Sequence, residues 1–150
     1  MMTYSERGLN LTKEFEGCRL EAYQDQGGVW TIGWGHTQAV MEGDVCTQEQ
    51  ADEWLEIELG GAASDVMRLV SESIEPCQVW ALADFVFNVG PASLSSSTLL
   101  KKLNAGDIEG AANEFPKWNK VHINGKLTPS PGLTRRRMAE KAMFLGKDWQ

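Results

Sequence analysis

Residues 76–91, PCQVWALADFVFNVGP, constrain the fold more than any other stretch. Pro76 suits the first turn of a helix, where its missing amide proton is no loss. Gly90-Pro91 is a stop signal. Between them apolar side chains fall almost all round the helix instead of along one stripe. Such a helix has no face to offer water. It must be the centre of a core that other helices enclose.

The remaining segments supply those helices. A first short helix is expected over residues 5–16, capped by Ser5, with Leu11 and Phe15 on one face and Gly17 closing it in the left-handed conformation. Thr47 and Gln50 form a capping box at the head of a longer helix over 48–70. Ala51, Leu55, Leu59, Ala62, Val66 and Leu69 follow at helical spacing. Gly60-Gly61 interrupts this helix at about 1 kcal/mol per glycine, so a bend or break is expected there. Ser96 or Ser97 starts another helix, Asp107 caps a short one ending near Phe115-Pro116, GKLTPSPG reads as a loop, and a last helix runs from about Thr134 to Leu145.

Residues 22–37 break the pattern. AYQ, DQGG and VWTIGW read as strand, turn, strand. The order is therefore one helix, one small antiparallel sheet, then many helices. That is an α+β arrangement with segregated elements. One domain over 1–150 is expected, with a sheet lobe at about 17–46 and a helical lobe at about 71–150 that includes the N-terminal helix. The long helix links the two.

Charge divides the same way. Residues 1–75 carry 15 acids and 4 bases, a net of −11, and residues 76–150 carry 6 acids and 10 bases, a net of +4. The acidic half repels nucleic acid and anionic lipid, and the basic half attracts an anionic polymer. The TRRR run at 134–137 has too few bases to read as a nucleic-acid patch. No apolar run is long enough to span a membrane. The N-terminal MMTYSERGLNL lacks the order of a signal peptide. A chain made in the cytoplasm, without a membrane anchor, is the expectation. Cys18, Cys46 and Cys77 form no C-x-x-C pair and read as three apolar thiols, with a Cys46–Cys77 bridge left open. His36 and His122 lack metal-ligand spacing, and His36 reads as a structural hydrogen-bonding residue.

Three polar residues carry the chemical interest. Glu16 ends the first helix, where the helix dipole disfavours a negative charge and so favours a protonated acid. Asp25 sits before Gln-Gly-Gly, an ordinary turn position. Thr31 is an ordinary strand residue. Singly, each has a plain structural explanation. If the strands fold back on the first helix, the three face one another across a groove. An acid, a second carboxylate and a water-holding hydroxyl are what an inverting glycosidase requires, with the carboxylates about 6.5–9.5 Å apart.

EGCRLEAYQDQGGVWTIGWGHT (16–37) closely resembles the start of the phage-type lysozymes of glycoside hydrolase family 24, the endolysins related to the lysozyme of phage T4. The shared pattern is Glu, eight residues, Asp, five residues, Thr, followed by TIGWGH. ALADFVFNVG (81–90), STLLKKLNAGD (97–107), FPKWN (115–119) and GLTRRRMAE (132–140) continue the resemblance in order. It implies a lysozyme-like fold and hydrolysis, with inversion, of the β-1,4 bond between N-acetylmuramic acid and N-acetylglucosamine in peptidoglycan. Glu16 is then the acid, and Asp25 and Thr31 hold and activate the water. Gly35, Thr37, Phe87 and Asn88 match the cleft wall, although plain core packing accounts equally for Phe87. Arg135 is favoured as the ion-pair partner of Glu16, with Arg136 and Arg137 reading almost as well. No cofactor or metal is implied, and a monomer is expected. Without an anchor, export through a holin lesion is the implied route from host cytoplasm to wall. Two rivals stand beside this reading. A lytic transglycosylase needs one Glu and no water-activating Asp. A non-catalytic wall-binding or virion module would keep the fold alone.

Overall fold

In a computed structural model, which describes residues 2–150, the chain begins with α1 (Tyr4–Glu16). Its cap is Thr3, not Ser5. The Thr3 hydroxyl accepts from the Glu6 amide and Glu6 reaches back to the Thr3 amide, a reciprocal pair that Ser5 has no partner to form. Gly17 follows with φ 70° and ψ 159°, positive in φ but extended in ψ, which turns the chain straight into a strand.

β1 (Arg19–Gln24) and β2 (Trp30–Gly33) pair antiparallel, with Tyr23 opposite Thr31 and Gln24 opposite Trp30. Residues 44–46 lie along the other edge of β1, where Ala22 donates to the Asp44 carbonyl and Cys46 to that of Leu20. This small sheet is the first lobe.

α2 (Gln48–Leu69) carries the expected Thr47–Gln50 capping box and runs without a break through Gly60-Gly61. The expected interruption is absent because Leu59, Ala62 and Ala63 are buried on either side of the pair. Burying those side chains offsets the helix-propensity cost of the glycines.

α3 (Pro76–Val89) is the centre of the helical lobe, with Ala81, Leu82, Ala83 and Phe85 wholly enclosed. Pro91 does end α3, but at once opens a short α4 (Pro91–Ser95), an economical use of proline at a first helical position. Ser97 then caps α5 (Thr98–Asn104) and Asp107 caps α6 (Ile108–Ala112).

The stretch expected as a loop, GKLTPSPG (125–132), instead holds the second strand of another hairpin and the start of the last helix. β3 (Lys120–Ile123) pairs with β4 (Lys126–Pro129). Asn124 and Gly125 have φ of 51° and 79°, the two positive values a tight two-residue hairpin turn requires. α7 (Pro131–Phe144) starts earlier than Thr134, because Ser130 caps it and Pro131 occupies its first turn. α7 packs on α1 and α3 and brings Arg136 and Arg137 of the TRRR run into the lobe's interior.

Candidate active site

The hairpin β1–β2 leaves α1 at Glu16 and returns to it. After β2 the chain turns tightly, with Ile32 and His36 exchanging backbone hydrogen bonds. Gly35, at φ 86°, forms the outer corner. A Cβ added there would come 2.9 Å from Glu16 Oε1. Glycine is therefore needed twice over, for its backbone conformation and for the room it leaves the carboxylate.

The other oxygen of Glu16 is held from the opposite side. Arg136 NH1 donates to Glu16 Oε2 at 2.6 Å. Arg135, the favoured partner from sequence, is exposed instead. Adjacent helix residues point about 100° apart; Arg136 and Arg137 both turn inward, and it is Arg136, with 5% of its side chain exposed, whose direction meets Glu16. Its remaining edge is gripped by Asp84, with Nε to Oδ2 at 3.0 Å and NH2 to Oδ1 at 2.9 Å. The Thr12 hydroxyl lies 2.7 Å from Asp84 Oδ1. Elements α1, α3 and α7 thus meet in one buried polar chain from Thr12 through Asp84 and Arg136 to Glu16.

Two further buried residues join it. Glu140 lies 3.2 Å from Arg137 Nε and 4.0 Å from Arg136 Nε. With both carboxyls ionised, neither Glu140 oxygen meets an aligned donor, whereas a protonated Glu140 donates to Asp84. Burial pushes the Glu140 carboxyl well above the ordinary carboxylate range, helped by the charge of Asp84 and opposed by the two arginines. Burial also works against ionised Asp84, but the hydrogen bond from Glu140 and the Arg136 charge outweigh it and hold Asp84 below that range. Burial lowers Arg137, while its neighbouring carboxylates raise Arg136 despite burial. The buried cluster then holds two guanidiniums and ionised Asp84, with Glu140 neutral.

Asp25 stands at the tip of the first hairpin and is exposed. Its Oδ1 accepts from the amides of Gly27 and Val29, both at 2.9 Å, while Oδ2 accepts from none of the described residues. Thr31 is buried, and its hydroxyl donates to the Val29 carbonyl at 2.9 Å. Its one proton is thereby used, leaving it only lone pairs to offer. Alternation along the hairpin puts Asp25 and Thr31 on the same face. Thr37 is exposed beyond the Gly35 turn, Phe87 is half-buried against the core, and Asn88 is exposed at the end of α3. His36 has the structural role expected, with Nδ1 2.5 Å from Glu58 Oε1 and its ring stacked on Trp54. All three cysteines are free.

Sequence reasoning missed Asp84 and Glu140. Asp84 had a signal. A lone carboxylate inside the apolar run ALADFVF is almost never enclosed without a cationic partner, and TRRR was the available source.

Comparison with known proteins gives this geometry a family. An endolysin of Acyrthosiphon pisum secondary endosymbiont phage 1 is 48% identical over 143 residues, 95% of this chain and 98% of that protein. Among solved structures, the muramidase domain of SpmX from Asticaccaulis excentricus superposes with a TM-score of 0.89 at 36% identity, covering 97% of this chain and 99% of that one. The endolysin of Escherichia coli O157:H7 phage FAHEc1 superposes at 0.87 with 34% identity, covering 96% and 94%. The phage lysozyme family pattern matches residues 13–140, from the last turn of α1 to Glu140, and the chain belongs to that family.

Proposed function

We propose that this chain is an endolysin that hydrolyses the β-1,4 bond between N-acetylmuramic acid and N-acetylglucosamine in bacterial peptidoglycan, with inversion. The single observation that carries this is the setting of Glu16. One oxygen is fixed by Arg136 and the other lies at the Gly35 turn, in a member of the phage lysozyme family.

Glu16 Oε1 carries the proton delivered to the leaving glycosidic oxygen. Oε2 stays with Arg136, which also receives the negative charge formed when that proton departs. Asp25 Oδ2 and the Thr31 lone pairs both act as acceptors towards water. A water donating one proton to each turns its own lone pair to the anomeric carbon. Asp25 takes the proton as the bond forms, on the face opposite the leaving group. Gly35, Thr37, Phe87 and Asn88 line the strand's path. The chain works as a monomer of one domain. It is held in the host cytoplasm until a partner holin opens the membrane, the route the family resemblance implies; no helix among the described residues is long and apolar enough to cross a membrane.

The test is a peptidoglycan zymogram of wild type against Glu16→Gln, with mass spectrometry of the released muropeptides. Clearing by the wild type only, with reducing ends, supports hydrolysis by Glu16. Equal clearing by both proteins removes Glu16 as the acid, and 1,6-anhydro ends make the enzyme a lytic transglycosylase.

A further inference from the structure

Between Glu114 and Glu140 the chain has six bases and no acid, within a protein whose net charge is −7. Two of the six, Arg136 and Arg137, are enclosed in the helical lobe. Lys117 shares the Glu114 carboxylate with Lys102, at 2.5 and 3.1 Å, so two ammonium groups meet one negative charge there. Lys120 and Lys126 lie on the second hairpin and are exposed, and no carboxylate among the described residues pairs with either.

The same hairpin leaves apolar groups uncovered. Its pairs are Lys120 with Pro129, Val121 with Thr128, His122 with Leu127 and Ile123 with Lys126. Opposed residues share a face, so Val121, Thr128, Ile123 and Lys126 lie on one side and Lys120, Pro129, His122 and Leu127 on the other. Val121 and Thr128 are half-buried, which marks the side towards the protein. Beyond them every residue from 122 to 127 is exposed. Ile123 is 51% and Leu127 61% exposed, on opposite sides of the tip, so the tip stands clear of the body. A single exposed aliphatic side chain signifies nothing. Here two flank a tight turn, with Lys126 opposite Ile123 and Lys120 on the side of Leu127.

We propose that the β3–β4 tip docks on an anionic phospholipid bilayer, with Ile123 and Leu127 entering the boundary between headgroups and acyl chains and Lys120 and Lys126 meeting lipid phosphates. Aliphatic groups at a protruding tip with cations around them match the layering of a bilayer surface. Lys126, level with Ile123, has a stem long enough to bring its ammonium back to the headgroups. An anionic wall polymer would satisfy the lysines but has no apolar layer for the tip, and residues 120–129 carry no Phe, Tyr or Trp on which a sugar could stack. The acidic first half of the chain, 15 acids against 4 bases, orients the molecule without preventing contact. Across a Debye length of about 8 Å a membrane responds to the charges nearest it, and the formal charges on the hairpin are all positive. One short tip is a reversible foothold and not an anchor, and Glu16 and its buried cluster take no part in it.

The test is co-sedimentation of the whole protein with vesicles of phosphatidylglycerol and phosphatidylethanolamine, against vesicles of phosphatidylcholine alone. Wild type should bind the first and not the second, and added salt should release it. Lys120→Gln with Lys126→Gln should weaken binding about 25-fold, since each cation beside an anionic bilayer is worth roughly fivefold. Ile123→Ser with Leu127→Ser should weaken it by at least about tenfold, because the apolar part of the contact is gone. All four positions are exposed, so the core is untouched, and circular dichroism checks the fold of both double variants. Clearing of purified peptidoglycan by either should match wild type. The proposal is overturned if wild type ignores anionic vesicles, if it binds both kinds equally, or if either double variant binds as well as wild type. A glutamine variant that loses its hold on sedimented peptidoglycan, while wild type ignores vesicles, would assign the patch to the wall polymer instead.

Discussion

Arg136 NH1 donates to Glu16 Oε2 at 2.6 Å while Asp84 occupies the other edge of the same guanidinium. The arginine is shared between a partly exposed carboxylate at the end of α1 and one wholly inside the protein. Removing it leaves Asp84 as an unpaired charge in the core. Arg136→Leu should cost about 3–5 kcal/mol of stability, the usual penalty for breaking a buried ion pair from one side. Arg135→Leu, one position away and exposed, should change stability by no more than about 0.5 kcal/mol. Urea unfolding of the two variants checks the contrast, and equal losses would place the working arginine wrongly.

Gly35→Ala tests the approach of the hairpin to the acid. The new Cβ meets Glu16 Oε1, and the backbone must keep φ near 86° with a side chain attached. About 1–3 kcal/mol of strain is expected. Activity should fall at least tenfold, because the carboxylate must move to make room, and a 1 Å displacement of a catalytic group can cost on the order of a hundredfold. Circular dichroism and a turbidity assay on cell walls measure the two effects separately.

The pH dependence of stability should carry the mark of Glu140. Burial raises its carboxyl in the folded protein, so between the unfolded value of about 4.3 and its folded value the unfolded chain releases the proton first. Its contribution is present below the unfolded value and is lost as pH rises through the folded one. Asp84 has the opposite sign, since its folded value is lowered. Its contribution is present above about 3.9 and is lost as pH falls through the folded value. Glu140→Gln, a permanent mimic of the neutral acid, should abolish the loss on the alkaline side and keep the acid-side loss. Urea titrations from about pH 2 to 9 would read both limbs directly. An unchanged alkaline slope in the variant would show that Glu140 is ionised in the folded protein.

Thr12→Val removes a hydroxyl that lies 2.7 Å from a fully buried carboxylate. A hydrogen bond to a charged group contributes about 1.5–3 kcal/mol, and the loss should appear in full because water cannot replace it. Thermal unfolding should show a lowered midpoint, with less activity lost than in Gly35→Ala, since Asp84 keeps its two bonds from Arg136.

Local signals in the chain marked most of this architecture. The Thr47–Gln50 box, Pro76 at the head of α3, Ser97 and Asp107 as caps, and the first hairpin all follow from hydrogen bonds or backbone restrictions spanning only a few residues. The second hairpin had an equally local signal in Asn124-Gly125, and reading its Gly- and Pro-rich flank as loop passed over it. The Gly60-Gly61 interruption went the other way, because helix propensity there is overruled by burial against α3, which a local reading does not contain.

By itself, then, the order of residues determined an apolar central helix, a small sheet after one helix, and a Glu, Asp and Thr at a spacing shared with the phage lysozymes. Packing alone decided which of three neighbouring arginines meets Glu16, because rotation about a helix axis is set by what lies beside it. Packing also joined Thr12, Asp84, Arg136, Arg137 and Glu140, drawn from three helices, into one enclosed cluster, because only the tertiary fold brings residues so far apart in sequence into contact.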